Sequence, residues 1–246
     1  MNAIVIQNLR KTYGKVTAVD GLNLEIRQGE LLSLLGVNGA GKTTTIKILS
    51  CLTKPDSGDA EILGNSICEN PEGVKAVLGV SPQETAIAPN LTVRENLRFM
   101  AGAHGFDRKT AETKTTEMID KLSLGSVADR RAKTLSGGWQ RRLSIAMALV
   151  SEPQVLFLDE PTLGLDVLAR RELWQMIESL KGRVTMILTT HYLEEAKALS
   201  DRIAVMTEGR LRAVGTVEEL LQLSGEGNLE EAFIRLAKGG TDVCGG

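Results

Sequence analysis

Gly36-Val37-Asn38-Gly39-Ala40-Gly41-Lys42-Thr43-Thr44 sets three glycines, a lysine and two threonines in the spacing G-x-x-x-x-G-K-T. Glycines let backbone N–H groups turn inward with no Cβ in the way, and such a row of donors ahead of a helix holds a polyphosphate. Gly36, Asn38, Gly39, Ala40, Gly41 and Thr44 form the cradle; Lys42 reaches the β- and γ-phosphates as a mobile point charge, and the Thr43 hydroxyl ligands Mg²⁺. Asp159 and Glu160 end the apolar run Val155-Leu156-Phe157-Leu158. Adjacent carboxylates mildly oppose folding, so the pair reads as chemistry: Asp159 near Mg²⁺, Glu160 polarising the attacking water. His191 closes a second apolar run, Val184–Thr190. Other groups read two ways. Gln83, after Ser81-Pro82, is a solvated glutamine or a metal or water contact. Ser136-Gly137-Gly138 is a bare helix cap or an anion site. Tyr13 is a surface aromatic or a ring that stacks on a purine.

The elements that must position these groups follow from periodicity. Residues 3–30 alternate apolar and polar, with turns at Tyr13-Gly14-Lys15, Asp20-Gly21 and Gln28-Gly29, and read as antiparallel strands. Leu31–Leu35 is a buried strand feeding the glycine loop, and Thr45–Leu49 a helix leaving it. Lys54–Gly58 reads as a turn, Asp59–Gly64 as a strand and turn, and Val77–Val80 as a short strand before Gln83. Thr92-Val93-Arg94-Glu95 has the pattern of a capping box and opens a mainly helical insertion over 88–150. His104 falls in a Gly102–Gly105 loop. The last helix of the insertion starts at Ser136, with Leu143, Ile145, Ala146, Met147 and Leu149 as its apolar face. Beyond it come a parallel-sheet strand at Val155–Leu158, a helix over 167–181, a strand over 184–190 and a hairpin at 203–206 and 210–215. A capped helix at Thr216 and a terminal helix at Leu229–Lys238 complete the series. The expected fold is α/β: a P-loop NTPase core with a mixed, mostly parallel sheet and helices on both faces, an antiparallel β subdomain and an inserted helical subdomain. Its expected parts are 1–87, 88–150 and 151–237, with 238–246 a frayed tail.

The chain has 246 residues, 42% hydrophobic and 24% charged, enough for its own core. A net charge of −2 gives no electrostatic reason to expect nucleic acid. No apolar run approaches the roughly 18–20 residues of a membrane span, and the start lacks the layout of a signal peptide, so a cytoplasmic polypeptide is expected. Cys51, Cys68 and Cys244 form no C-x-x-C pair, which suits reduced thiols.

With these stretches in this order, the chain resembles the nucleotide-binding subunit of an ATP-binding cassette (ABC) transporter over about residues 3–237. Gly36–Thr44 matches the Walker A loop, Val155–Glu160 the Walker B strand with its catalytic glutamate, and Tyr13 the adenine-stacking aromatic. Gln83 matches the Q-loop glutamine, His191 the switch histidine, and Leu163–Asp166 the D-loop. Leu135–Gly138 matches the family signature, which usually continues with Gln; here Trp139 stands in that place and Gln140 follows. The resemblance implies an ATPase using ATP and Mg²⁺, with Thr43, Gln83 and Asp159 around the metal. It further implies a head-to-tail dimer with a second ABC ATPase domain, a copy or a paralogue, in which Ser136, Gly138 and Asp166 lie at the interface. Separate transmembrane permease subunits would complete the assembly at the cytoplasmic face of the cell membrane. The wording of Asn90–Leu97 is similar to exporter ATPases of the multidrug and antibiotic-resistance type. The alternative is a soluble ABC-type ATPase switch or assembly scaffold.

Overall fold

The computed structural model describes residues 1–238; the tail expected beyond Lys238, with Cys244, lies outside the described residues. β1 (Asn2–Tyr13) and β2 (Val16–Arg27) make a long antiparallel hairpin, which β4 (Ser57–Ile62) and β5 (Asn65–Ser66) extend into a sheet ordered β2-β1-β4-β5. On β2 the buried Leu22, Leu24 and Ile26 alternate with exposed neighbours, the period-two pattern of a sheet with one face in the core.

The second sheet holds β3 (Leu31–Leu35), β6 (Leu78–Ser81), β7 (Val155–Asp159), β8 (Thr185–Thr190), β9 (Arg202–Thr207) and β10 (Arg210–Gly215). Its order is β10-β9-β3-β8-β7-β6, parallel throughout except for the closing β9–β10 hairpin. Every residue of β3, β7 and β8 is buried, so both faces need cover. On β7, Val155 and Phe157 enter the core between the two sheets, and Leu156 and Leu158 enter the core under the helices. The helix after the glycine loop, α1 (Lys42–Leu49), fills the first of these cores with Ile46, Ile48 and Leu49. The loop is therefore anchored at its strand and at its helix.

The insertion is built from α3 (Val93–Ala103), α4 (Arg108–Lys121) and α5 (Gly137–Leu149), and the α5 face that begins at Leu143 is buried as the spacing predicts. Thr92 Oγ1 accepts from Glu95 N at 3.1 Å and Glu95 Oε2 from Thr92 N at 2.8 Å, the reciprocal capping box, worth about 1 kcal/mol. α6 (Val167–Glu178), α8 (Val217–Ser224) and α9 (Leu229–Ala237) follow the pattern, α6 ending three residues short of the expected 181.

Some local expectations are corrected. Gly102 lies inside α3 and His104 is its C-cap, with Gly105 left-handed at φ 84° just beyond, so the helix runs through what reads as a loop. Ser57 and Gly58 already belong to β4. Two helices arise without a strong sequence signal: α2 (Pro71–Val77) and α7 (Leu193–Leu199). In α2, Pro71 stands at the first helical position, where proline is well tolerated, and Asn70 Oδ1 accepts from Gly73 N at 3.1 Å as the cap.

Candidate active site

The parallel strands end in step. Leu35 pairs with Thr190, Asp159 with Thr189 and Leu158 with Ser81, so Gly36, Glu160, Pro82 and His191 leave the sheet at the same edge. That carboxyl edge is where open α/β sheets bind ligands. A cleft of about 530 Å³ opens there. The loop from Asn38 to Thr44 forms its floor, Gln83, Glu160, Leu163 and His191 stand on one side, and Val16 and Ala18 of β2 close the other.

Two glycines of the loop are demanded by packing as well as by ligand approach. Gly41 has φ 99°, and a Cβ there would overlap the Ala18 carbonyl. A Cβ on Gly36 would fall 2.5 Å from Met206 O. Gly41 is also the N-cap of α1, and no side chain caps that end, so the first amides of the helix are left to the cleft.

Lys42 is 5% exposed. Its Nζ donates to the carbonyls of Gly36 at 2.7 Å and Val37 at 3.2 Å, and lies 3.4 Å from Glu160 Oε1. The other carboxylate oxygen, Oε2, is 2.6 Å from His191 Nδ1. Glu160, 6% exposed, thus sits between a cation and an imidazole, the arrangement that lets a carboxylate stay buried. Its φ of 49° is left-handed, which costs a non-glycine residue about 1–3 kcal/mol. Hydrogen bonds from Glu160 N to Thr189 O (3.1 Å) and Thr189 Oγ1 (3.0 Å) hold that conformation.

Asp159 Oδ1 accepts from Thr43 Oγ1 at 3.1 Å and from Thr189 Oγ1 at 2.5 Å. Among the described residues no three His, Cys, Asp or Glu side chains cluster as metal ligands. One carboxylate, one hydroxyl and the Gln83 amide beside a phosphate loop instead suit Mg²⁺, which keeps few protein ligands and shares its shell with phosphate oxygens. The donor set fits the metal.

The backbone at Gln83 is held from the insertion. Arg141, on α5, donates from Nη1 to Pro82 O and from Nη2 to Gln83 O, both at 2.6 Å. Burial pushes this guanidinium below its ordinary value, while the charges of Asp159 and Glu195 act in the opposite direction.

The cleft does not gather every expected residue. Ser136, Gly137 and Gly138 start α5 away from it, beside Ala169 and Glu172 of α6. Ser136 is the N-cap of α5 by position, but its side chain makes no capping hydrogen bond. Asp166 caps α6, accepting from Leu168 N and Ala169 N at 2.9 Å each. Tyr13 is half-exposed at the tip of the β1–β2 hairpin, three residues before the cleft wall at Val16, with Lys11 Nζ 5.6 Å from its ring. Sequence reasoning passed over Thr189 and Arg141. Two polar residues following the apolar Met186-Ile187-Leu188 of β8 were the one available sign of Thr189; Arg141 binds backbone carbonyls, which leave no mark in a sequence.

Comparison with known proteins agrees with this geometry. The family model described as ABC transporter matches residues 19–163. The chain is 43% identical over 227 residues to the doxorubicin resistance ATP-binding protein DrrA of Mycobacterium tuberculosis, covering 91% of this chain and 69% of that protein. It is 41% identical over 220 residues to the Nod factor export ATP-binding protein I of Paraburkholderia xenovorans, covering 89% and 72%. Among solved structures, an ATP-binding subunit of an ABC transporter superposes with a TM-score of 0.83 at 27% identity, covering 95% of this chain and 99% of the other. A dimeric post-hydrolysis state of an ATP-binding cassette bound to ADP and Pi gives 0.77 at 26% identity, covering 87% and 98%. The chain belongs to the ABC transporter family, as an ATP-hydrolysing cassette that uses ATP and Mg²⁺.

Proposed function

We propose that Glu160 orients and deprotonates the water that attacks ATP, with Lys42 and His191 as its partners in turnover. The observation that carries this reading is the run Lys42–Glu160–His191: a cation, a carboxylate and an imidazole joined by contacts of 3.4 and 2.6 Å at the mouth of the glycine loop. Lys42 exchanges its bonds to Gly36 O and Val37 O for phosphate oxygens, and the amides of Asn38–Thr44 take up charge that grows on the γ-phosphate. Thr43, Asp159 and Gln83 would hold Mg²⁺, which when bound would supply charge neutralisation at the phosphates. His191, tied to Glu160, stands on the γ-phosphate side. The Tyr13 ring, next to Val16 at the cleft wall, stacks on the adenine.

Ser136, Gly137, Gly138 and Asp166 serve a second cassette, a copy or a paralogue, packed head to tail. The Ser136 hydroxyl, which caps nothing, and the absence of this cap from the lining of its own cleft support that role, as does the dimeric state of a solved neighbour. Residues 88–150 act as the inserted arm that carries the cap, against a core of 1–87 and 151–237. No helix among the described residues is long and apolar enough to cross a membrane, so a transported substrate needs membrane-spanning partners. We place the cassette at the cytoplasmic face, driving export through separate permease subunits; the resistance and export names of its relatives favour that direction.

A pull-down of the chain from detergent-solubilised membranes tests the assembly. A polytopic membrane protein recovered at near one-to-one ratio supports the transporter reading. A soluble complex, or nothing from the membrane fraction, leaves the ATPase standing and moves it to the class of soluble switches and scaffolds.

A further inference from the structure

Glu195 is 0% exposed, on α7, one turn beyond His191. Nothing in the reaction above uses it. Its Oε1 accepts a hydrogen bond from Trp174 Nε1 at 3.0 Å, and Trp174 stands on α6, the helix that Asp166 starts. Its Oε2 has no hydrogen-bond partner, and neither has Thr162 Oγ1, buried in the loop that runs from Glu160 to Asp166. A buried carboxyl with one oxygen unpartnered and no ion pair among the described residues costs stability that an apolar residue of the same shape would not. Burial pushes the Glu195 carboxyl up from its ordinary value; the side chains of Thr190, Thr162 and Trp174 act against that, and the charge of Glu160 adds to it.

A second contact joins the same two helices. The Arg170 guanidinium of α6 lies 4.9 Å over the Tyr192 ring, whose centroid is 4.0 Å from that of His191. Arg170 and Trp174 are one helical turn apart, so one face of α6 grips both Tyr192 and Glu195. His191 is thereby held from the helix that begins at the D-loop, as well as by Glu160.

We propose that Glu195 is a positioning residue for His191: through Trp174 it fixes α7 to α6, keeping the imidazole on Glu160 and tying its place to the Asp166 end of α6. The proposal rests on the reading that His191 acts in ATP hydrolysis.

Trp174→Phe keeps an aromatic side chain of smaller size and removes the Nε1–H donor; Glu195→Ala removes the acceptor; Glu195→Gln keeps shape and one acceptor oxygen. The 246-residue chain has two histidines, so the imidazole ¹⁵N signals of His191 are read against those of His104 as an internal control. Trp174→Phe and Glu195→Ala shift the His191 signals and leave His104 in place. In the same variants kcat for ATP falls by about ten- to a hundredfold with KM unchanged. Glu195→Gln restores both readouts. If Glu195→Ala does not fold, Trp174→Phe decides alone. A loss of kcat with unmoved His191 signals means a merely structural role and overturns the proposal. A displaced His191 with unchanged kcat overturns the reading that His191 works in turnover, and the proposal with it.

Discussion

Glu160 Oε2 lies 2.6 Å from His191 Nδ1 while Glu160 Oε1 lies 3.4 Å from Lys42 Nζ, so a single buried carboxylate joins the strand-end histidine to the lysine of the glycine loop. With Glu160 ionised, Nδ1 carries the proton and donates, which turns Nε2 toward the role of acceptor.

Lys42→Ala removes the ammonium that faces Glu160 and the point charge for the β- and γ-phosphates. Nucleotide affinity measured by calorimetry falls at least tenfold, about 1.4 kcal/mol or more. Unchanged affinity would contradict the placement of the phosphates on this loop.

Thr189→Val keeps the shape of β8 and deletes the hydroxyl that donates to Asp159 Oδ1 at 2.5 Å and accepts from Glu160 N at 3.0 Å. Both neighbours lose orientation together. The expected result is a kcat lower by about tenfold or more and a stability loss of about 1–3 kcal/mol in denaturant unfolding. A change in stability with intact kcat would reduce Thr189 to a sheet residue.

Arg141→Lys retains the charge but not the fork that meets Pro82 O and Gln83 O at once. One carbonyl is left unmet, at a cost of about 1–2 kcal/mol. Amide exchange over residues 82–86 should quicken more than in the rest of the chain. Equal protection in both proteins would show that α5 does not hold the Q-loop.

Cys68 tests the electrostatics away from the cleft. Although Cys68 lies at the surface, partial desolvation of its thiol pushes it up to about 11, helped by the neighbouring Asp59 carboxylate. The thiolate is the nucleophile, so at pH 8 only about one Cys68 thiol in a thousand is ionised at any moment, and the alkylation rate gains about tenfold per pH unit up to the pKa. Mass spectrometry of the Cys68 peptide after iodoacetamide treatment checks this; fast labelling at pH 8 would refute it.

How far the site was legible depended on which atoms carried it. Asp159, Glu160 and His191 could be found because each ends a run of apolar residues, and parallel strands with both faces buried deliver such ends to one edge. The glycine loop announced itself by spacing. Arg141 could not be found, because its acceptors are carbonyls 58 and 59 positions away. Val16 and Ala18 left no mark as cleft residues, because small apolar side chains on a strand look the same in sequence whether they line a cleft or not; Tyr13 stands three residues before Val16, at the tip of the same hairpin. The helices α2 and α7 were hidden for a local reason, being seven residues each and depending on packing more than on propensity.

Turnover by Glu160→Gln tests the central claim most directly. This variant keeps the hydrogen-bonding shape at His191 but has no base for the water. It should bind ATP, form a stable dimer in its presence by analytical ultracentrifugation, and hydrolyse it about a hundred- to ten-thousandfold more slowly than the wild type. Hydrolysis at the wild-type rate would show that Glu160 is not the group that prepares the water, and the Lys42–Glu160–His191 arrangement would lose its catalytic meaning.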